Sequence, residues 1–368
     1  MTVDRGALVI GDISGYTGYL TGVELEHSHD VIADLLDTMV RQAAGVLTLS
    51  KLEGDAMFWY RTGVGDGVAL LTAIEAVYAA FRRRVRTIVH QTTCTCNACR
   101  NMNLLDLKFF LHHGTYATQE MAGRTELQGA EVIRLHRLMK NSVTAATGIK
   151  AYALVTEQAA DAIGLPDFFA GSIRHVENLS EFGETVCYVY DLAPIFALWR
   201  ATRRVVVQHD EPLAFESMEC DLPVPPAIAW AYVTDIEKKI RWQHGIDGMR
   251  MTGLAQGRIG LGATQHCAHG KDSTVHDIVD WRPFDYVTWH IRLPMGAIVR
   301  QMAELTPLEN GGTHLSLRCA KPEGPNPVAT VLVRTITRLA MAKKLVSDQR
   351  ASKVALERLI AEETAAFT

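Results

Sequence analysis

Residues 7–20 read ALVIGDISGYTGYL, and residues 50–60 read SKLEGDAMFWY. The first is an apolar run that ends on an acid, Asp12, followed by small and polar residues. An unbroken apolar run bounded by turn residues predicts a buried strand at 7–13. Residues 46–61, VLTLSKLEGDAMFWYR, predict two short strands joined by a turn at Glu53-Gly54. Strand ends do not need carboxylates, so Asp12 and Asp55 ask for a chemical role. Two carboxylates on neighbouring strands offer hard oxygen ligands for two divalent cations. Small residues after Asp12 let backbone N–H groups approach a phosphate closely. Read singly, each acid has a plainer explanation: Asp12 caps the next turn, and Asp55 fills a Gly-Asp hairpin turn.

Working outward, Leu25, His29, Ile32, Leu36, Met39 and Ala43 step by four and three, one face of a helix. His27 and His29 lie two apart, on different faces of that helix, and are read as surface or core-edge residues rather than metal ligands. Residues 67–89 predict a second helix, 104–114 a strand, 130–142 a helix and 184–192 a closing strand. Helices and strands alternate irregularly, which predicts α+β rather than a doubly wound parallel sheet. Pro194 and Pro212 bracket a change of texture, so the domains are expected at 1–192 and 212–368, with a linker over 193–211. The second part is mostly β with Gly and Pro punctuation. It ends in one long helix, with Val328, Leu332, Thr335, Leu339, Ala342 and Val346 on one stripe that Leu356 and Ile360 resume.

The chain has 368 residues, 48% hydrophobic and 21% charged, with net charge −4. That is a globular composition with no basic run, which argues against nucleic acid as a partner. No apolar stretch approaches the roughly 18 residues that span a bilayer. The start, MTVDRG, lacks a signal-peptide layout, so a cytoplasmic location is expected. Seven cysteines in a chain this long do not make a disulfide scaffold.

The motifs GDISGYT and KLEGDAMFW resemble the catalytic domain of class III adenylate and guanylate cyclases, over about the first 190 residues. In that family an Asp-Ile-x-Gly-Phe-Thr strand end and a Lys-x-x-Gly-Asp hairpin hold two divalent metals and a nucleoside triphosphate. The resemblance implies a ferredoxin-like cyclase domain with Mg²⁺ or Mn²⁺ on Asp12, Asp55 and the Ile13 carbonyl. It implies a phosphate cradle at Ser14, Gly15, Tyr16 and Thr17. Lys51 and Glu126 fall where the family reads the purine, and that pair suits adenine, hence ATP. Arg137 falls on the arginine that stabilises charge on the transferring phosphoryl group. The family's asparagine is replaced by Ile133, which cannot hydrogen-bond a ribose. Losing one such contact costs about 2–4 kcal/mol of transition-state stabilisation. The family's sites form between two domains, so activity implies a homodimer.

HQTTCTCNACRNM, residues 90–102, is foreign to that pattern. Cys94, Cys96 and Cys99 have thiolate spacing for a structural Zn²⁺, with His90, His112 or His113 as fourth ligand. The other reading is free thiols or a redox pair.

Residues 212–368 resemble the START-like (SRPBCC, polyketide-cyclase-like) superfamily. The resemblance rests on the opening stretch FESMECDLPVPPAIAWAYVTDIEKKIRW, the run of strands and the final helix. It implies a helix-grip fold and a hydrophobic small-molecule ligand. Trp230, Trp242, Trp281, Trp289, Phe284, Met295, Met302 and Met341 are candidate cavity lining, or plain core. Gly257, Gly260 and Gly262 suggest bent strands and a cavity of roughly 300 Å³ or more. His266, His269, His276 and His290 alternate with apolar neighbours and face either cavity or solvent. Two functions follow: a purine nucleotidyl cyclase regulated by an apolar ligand, or a degenerate cyclase domain that binds nucleotide without turnover.

Overall fold

The computed structural model describes residues 2–20, 25–91, 97, 101–121, 124–270 and 272–365. Contacts divide the chain into two units, Met1–Arg200 and Ala201–Thr368. Both are built on mixed α and β elements, and the fold class is α+β.

The first unit holds β1 (Thr2–Ser14), α1 (Tyr16–Leu20), α2 (Leu25–Ala43), β2 (Thr48–Glu53), β3 (Ala56–Thr62), α3 (Gly67–Gln91) and β4 (Asp106–Met121). After these come β5 (Arg124–Gln128), α4 (Ala130–Leu138), α5 (Val143–Thr147), β6 (Tyr152–Thr156), α6 (Glu157–Ile163), α7 (Pro166–Ala170), β7 (Ile173–Leu179), β8 (Gly183–Asp191) and α8 (Ala193–Ala201). The sheet runs β2-β3-β1-β4-β6-β8-β7, with β5 paired to β4. β1 is antiparallel to both β3 and β4. The succession β1-α2-β2-β3-α3-β4 in the order β2-β3-β1-β4 is therefore the split βαβ arrangement of the ferredoxin-like fold. β1 is central and covered on both faces, which is why its apolar run does not alternate: Ala7, Leu8, Val9 and Ile10 are all buried. Leu8 and Ile10 join Phe58, Phe110, Tyr152 and Leu154 in one core cluster. Each such side chain contributes about 1.5–3 kcal/mol of burial.

α2 and α3 form where predicted. On α2 the predicted stripe is buried at Ile32, Leu36, Met39 and Ala43, while His29 is exposed and its neighbour Ser28 is buried in its place.

The second unit has β9 (Met218–Leu222), α9 (Pro226–Thr234), α10 (Ile236–Lys239), β10 (Gly248–Thr252), β11 (Thr264–His269), β12 (Asp272–Arg282), β13 (Tyr286–Arg292), β14 (Ile298–Pro307) and β15 (Thr313–Cys319). It ends in α11 (Pro327–Ile336), a π-helical turn at Thr337–Met341, and α12 (Ala342–Ala365). The sheet order is β10-β11-β12-β13-β14-β15-β9, antiparallel throughout. This sheet with its long C-terminal helix is a helix-grip architecture. Val207 is buried against Tyr286, Met302 and Ala320, so the stretch before β9 packs on this sheet.

Three expectations for this unit are corrected. The first part of the predicted helix stripe is exposed, Val328 being 78% and Leu339 79% accessible while Val333 and Thr337 are buried; its far end, Leu356 and Ile360, is buried as expected. Gly257, Gly260 and Gly262 lie in the loop between β10 and β11 and bend no strand. The cavity is about 10 Å³, bounded by Met218, Trp242, Trp289 and Leu317 among others. Side chains fill the space instead. Trp230 packs edge-on against Trp281 at 4.8 Å and near Phe284 at 6.2 Å. Met295 and Met341 are exposed, and Met302 packs in the cluster with Val207. Of the four histidines only His276 is buried.

Candidate functional site

Asp12 stands near the end of β1, opposite Ala56 on β3 and Lys108 on β4. Asp55 sits in the turn between β2 and β3. The Ile13 N–H donates to the Asp55 carbonyl at 3.3 Å, which ties the strand end to the hairpin turn. The two acids lie within electrostatic reach of each other. Burial, then the charge of Asp55, pushes the Asp12 pKa up to about 6, with Lys108 opposing. Burial also raises Asp55. An acid whose proton affinity is raised by burial and by a second carboxylate marks a local excess of negative charge, which a dication relieves. The residues present thus fit a divalent metal. Among the described residues, no group of three or more His, Cys, Asp and Glu side chains is arranged around a metal position. A metal here therefore takes its remaining ligands from backbone, water or phosphate.

Ser14 ends β1, and Gly15 turns the chain at φ +86° into α1. A side chain at Gly15 would strike the Leu104 carbonyl oxygen at 2.6 Å, so only glycine fits. Tyr16 is half-buried and Thr17 is exposed.

The second group forms on β2, β5 and α4. Lys51 Nζ donates to Glu126 Oε2 at 3.3 Å and lies 3.0 Å from Glu53 Oε1. The Ser50 hydroxyl donates to the Thr125 carbonyl at 3.4 Å, holding β2 beside β5. Glu53 Oε2 meets His136 Nε2 at 3.0 Å, and His136 Nδ1 meets the Val132 carbonyl at 2.8 Å. Burial opposes the charge on Lys51, but the bonds to Glu53 and Glu126 outweigh it and raise its pKa. Burial likewise opposes Glu53's charge, and Lys51 and His136 outweigh it and lower its pKa. Lys51 and Glu126, 75 residues apart, are thus brought together. Glu53 was missed. Its signal was its spacing two after Lys51 on one strand, which puts both on one face.

Ile133 and Arg137 lie four apart on α4 and both are exposed, so they share a face. Arg137 pairs with Glu181 at 3.0 Å and, among the described residues, bonds neither group above.

The predicted zinc ligands Cys94, Cys96 and Cys99 lie outside the described residues. His90 is exposed near the end of α3. His112 is buried and engaged on both ring nitrogens, with Thr156 Oγ1 at 2.9 Å and Glu131 Oε2 at 2.7 Å, so it has no free nitrogen for a metal.

Residues 32–147 match the profile of a family described as a protein of unknown function (DUF2652). Residues 217–360 match the family described as polyketide cyclase / dehydrase and lipid transport. The chain is 30% identical over 167 residues to the uncharacterized protein Rv2561/Rv2562 of Mycobacterium tuberculosis, covering 44% of this chain and 74% of that protein. Among solved structures, the adenylyl cyclase CyaB of P. aeruginosa is 18% identical, with TM-score 0.39, covering 52% of this chain and 97% of its own. The guanylyl cyclase Cya2 is 12% identical at TM-score 0.39, covering 51% and 92%. Likeness of this degree leaves the chemistry to be argued from the residues themselves.

Proposed function

The chain belongs to the family of the uncharacterized protein Rv2561/Rv2562 of Mycobacterium tuberculosis, and we propose that its N-terminal unit binds a purine nucleoside triphosphate, ATP, with Mg²⁺ or Mn²⁺. The observation that carries this is the adjacent Asp12–Asp55 pair with its unbalanced negative charge. Asp12, Asp55 and the Ile13 carbonyl hold the metal, which neutralises triphosphate charge when bound. The backbone over Ser14–Thr17 faces the phosphates. Lys51 and Glu126 read the adenine edge, the lysine donating and the carboxylate accepting.

Turnover is the finer question. Ile133 offers no hydrogen bond where a ribose contact is needed, and this favours a regulatory module that holds nucleotide. One observation favours cyclisation: Arg137 projects from the exposed face of α4 and, among the described residues, pairs with Glu181, a surface partner that a phosphate can replace. Cyclisation would further require a second copy to complete the site. The C-terminal unit, on this reading, takes an apolar small molecule and makes the nucleotide state respond to it. Incubation of purified protein with ATP and Mn²⁺, assayed for cyclic nucleotide and pyrophosphate alongside bound ATP, separates the outcomes. Bound, unconverted ATP supports the module, product formation supports the cyclase, and no ATP binding rejects both.

A further inference from the structure

The interior of the second unit carries a charge that the chain does not balance. Lys239 ends α10 and is only 4% exposed. Its Nζ lies 4.2 Å from the centre of the Trp289 ring and 3.4 Å from Gln265 Oε1. Among the described residues no carboxylate pairs with it. Lysines near a surface normally lay the stem on apolar atoms and keep the ammonium in water. A buried ammonium without an anion is costly, and such groups are paired in ordinary cores. Burial pushes its pKa down to about 8, with the Cys267 thiol opposing.

The surroundings are rich in donors and poor in acceptors. The Trp289 Nε1–H is buried and has no acceptor. Among the described residues Gln265 Nε2 reaches only sulfur, Cys267 Sγ at 3.0 Å and Met249 Sδ at 3.6 Å. Gln301 Nε2 likewise reaches only Cys319 Sγ, at 3.3 Å. Sulfur is a weak acceptor. His276, on the strand next to Gln265, has a buried Nδ1 without a partner, while its Nε2 meets Thr274 Oγ1 at 2.9 Å. Gln243 Oε1 is an unpartnered acceptor on the same wall, a place for one hydroxyl or water. The rest of that wall is apolar: Met218, Val233, Trp242, Leu315 and Leu317.

We propose that Lys239 and Trp289 seat the carboxylate of an apolar organic acid, whose hydrocarbon body lies against Met218, Trp242, Leu315 and Leu317. This deepens, and rests on, the reading that the second unit takes an apolar small molecule. The present void of about 10 Å³ holds about one water. The acid therefore enters by displacing side chains, and Met218 and Gln243, long and unbranched, are the ones able to swing aside. The carboxylate supplies what the interior lacks, an anion beside the ammonium and an acceptor for the indole N–H. An uncharged apolar molecule would leave both unsatisfied.

The test uses the full chain with decanoate and with decanol, followed by tryptophan fluorescence and native mass spectrometry. Decanoate should bind at least about tenfold tighter than decanol, the scale of one charge-assisted hydrogen bond. Lys239→Met should erase that preference while decanol binding persists. Equal binding of acid and alcohol by the natural chain overturns the carboxylate seat but leaves the apolar-ligand reading standing. An acid preference that survives Lys239→Met also overturns it, since the anion would then sit elsewhere. No binding of either probe, with only a water in the void, overturns the ligand reading itself. If Lys239→Met does not fold, the acid–alcohol comparison on the natural chain still decides, and Trp289→Phe, which removes the N–H and keeps a ring, should reduce the preference.

Discussion

The two units leave opposite charges unbalanced. In the first, Lys51 is matched by Glu53 and Glu126, Glu53 by His136, and Glu131 by His112 and Arg134. Against that background Asp12 stands out as an acid raised by burial and by the charge of Asp55, with Lys108 opposing. In the second, Asp280 meets Arg282, Glu304 meets Arg318, and Arg300 meets Glu211. There Lys239 stands out as a cation without an acid among the described residues. An unpaired buried charge is costly, and sites with such perturbed groups are where ligands and metals are commonly bound. On the two proposals above, the missing partners are a metal cation for the first unit and an organic anion for the second.

This contrast can be broken by stability measurements. The largest effect is expected at Lys239. Its folded pKa, about 8, lies below its ordinary 10.5, so the unfolded chain holds the proton more tightly. The second unit should therefore gain stability as pH rises from about 8 to 10.5, by at most about 3 kcal/mol. Lys239→Met should remove that rise and stabilise the unit at pH 7 by about 1–3 kcal/mol in urea unfolding, as a buried charge gives way to apolar packing. If Lys239→Met instead destabilises it and the pH dependence stays, the ammonium is already compensated.

A smaller effect is expected at Asp12, where the sign runs the other way. Its folded pKa, about 6, lies above its ordinary 3.8, so the stability it lends is full below 3.8 and lost as pH rises through 6. Asp12→Asn should stabilise the metal-free first unit at pH 7, on the order of 1 kcal/mol after solvent screening of this half-buried group. Added Mn²⁺ should raise the melting temperature of the natural chain and not of the variant. Destabilisation by Asp12→Asn without metal would mean that Lys108 already pairs with the acid.

The smallest effect is expected at Arg137, on the surface. Arg137→Ala should leave the melting temperature unchanged, because its pair with Glu181 is solvent-exposed. If any cyclic product forms, it should fall in this variant while ATP affinity changes little. A large loss of ATP affinity would place Arg137 in ground-state binding instead.

Much of the first unit was legible because its core strands carry their burial in composition. The apolar run at 7–13 was read as a buried strand, and the turn at Glu53-Gly54 marked the hairpin that β2 and β3 form. β5 was not legible. It pairs with the polar far end of β4, where Thr118, Gln119 and Glu120 give no apolar alternation. The terminal helix shows another limit. Periodicity says which residues share a face, and Val328, Leu332 and Leu339 do, but not whether anything covers that face. At the candidate sites, Asp12 and Asp55 were visible as motif acids. Lys239 was not: in IEKK, residues 236–239, it reads as one more solvated charge. Only the packing of α10 on the sheet turns it inward.

The central claim is that Asp12 and Asp55 together hold a metal–nucleotide complex. Calorimetric titration of the metal-free full chain with Mn²⁺–ATP tests it most directly, in the natural chain, Asp12→Asn and Asp55→Asn. The account predicts saturable binding that requires Mn²⁺, weakened more than about 100-fold in each variant, beyond the 10–100-fold that losing a merely supporting contact costs. Equal Mn²⁺–ATP affinity in all three proteins, each shown to be folded, would contradict it.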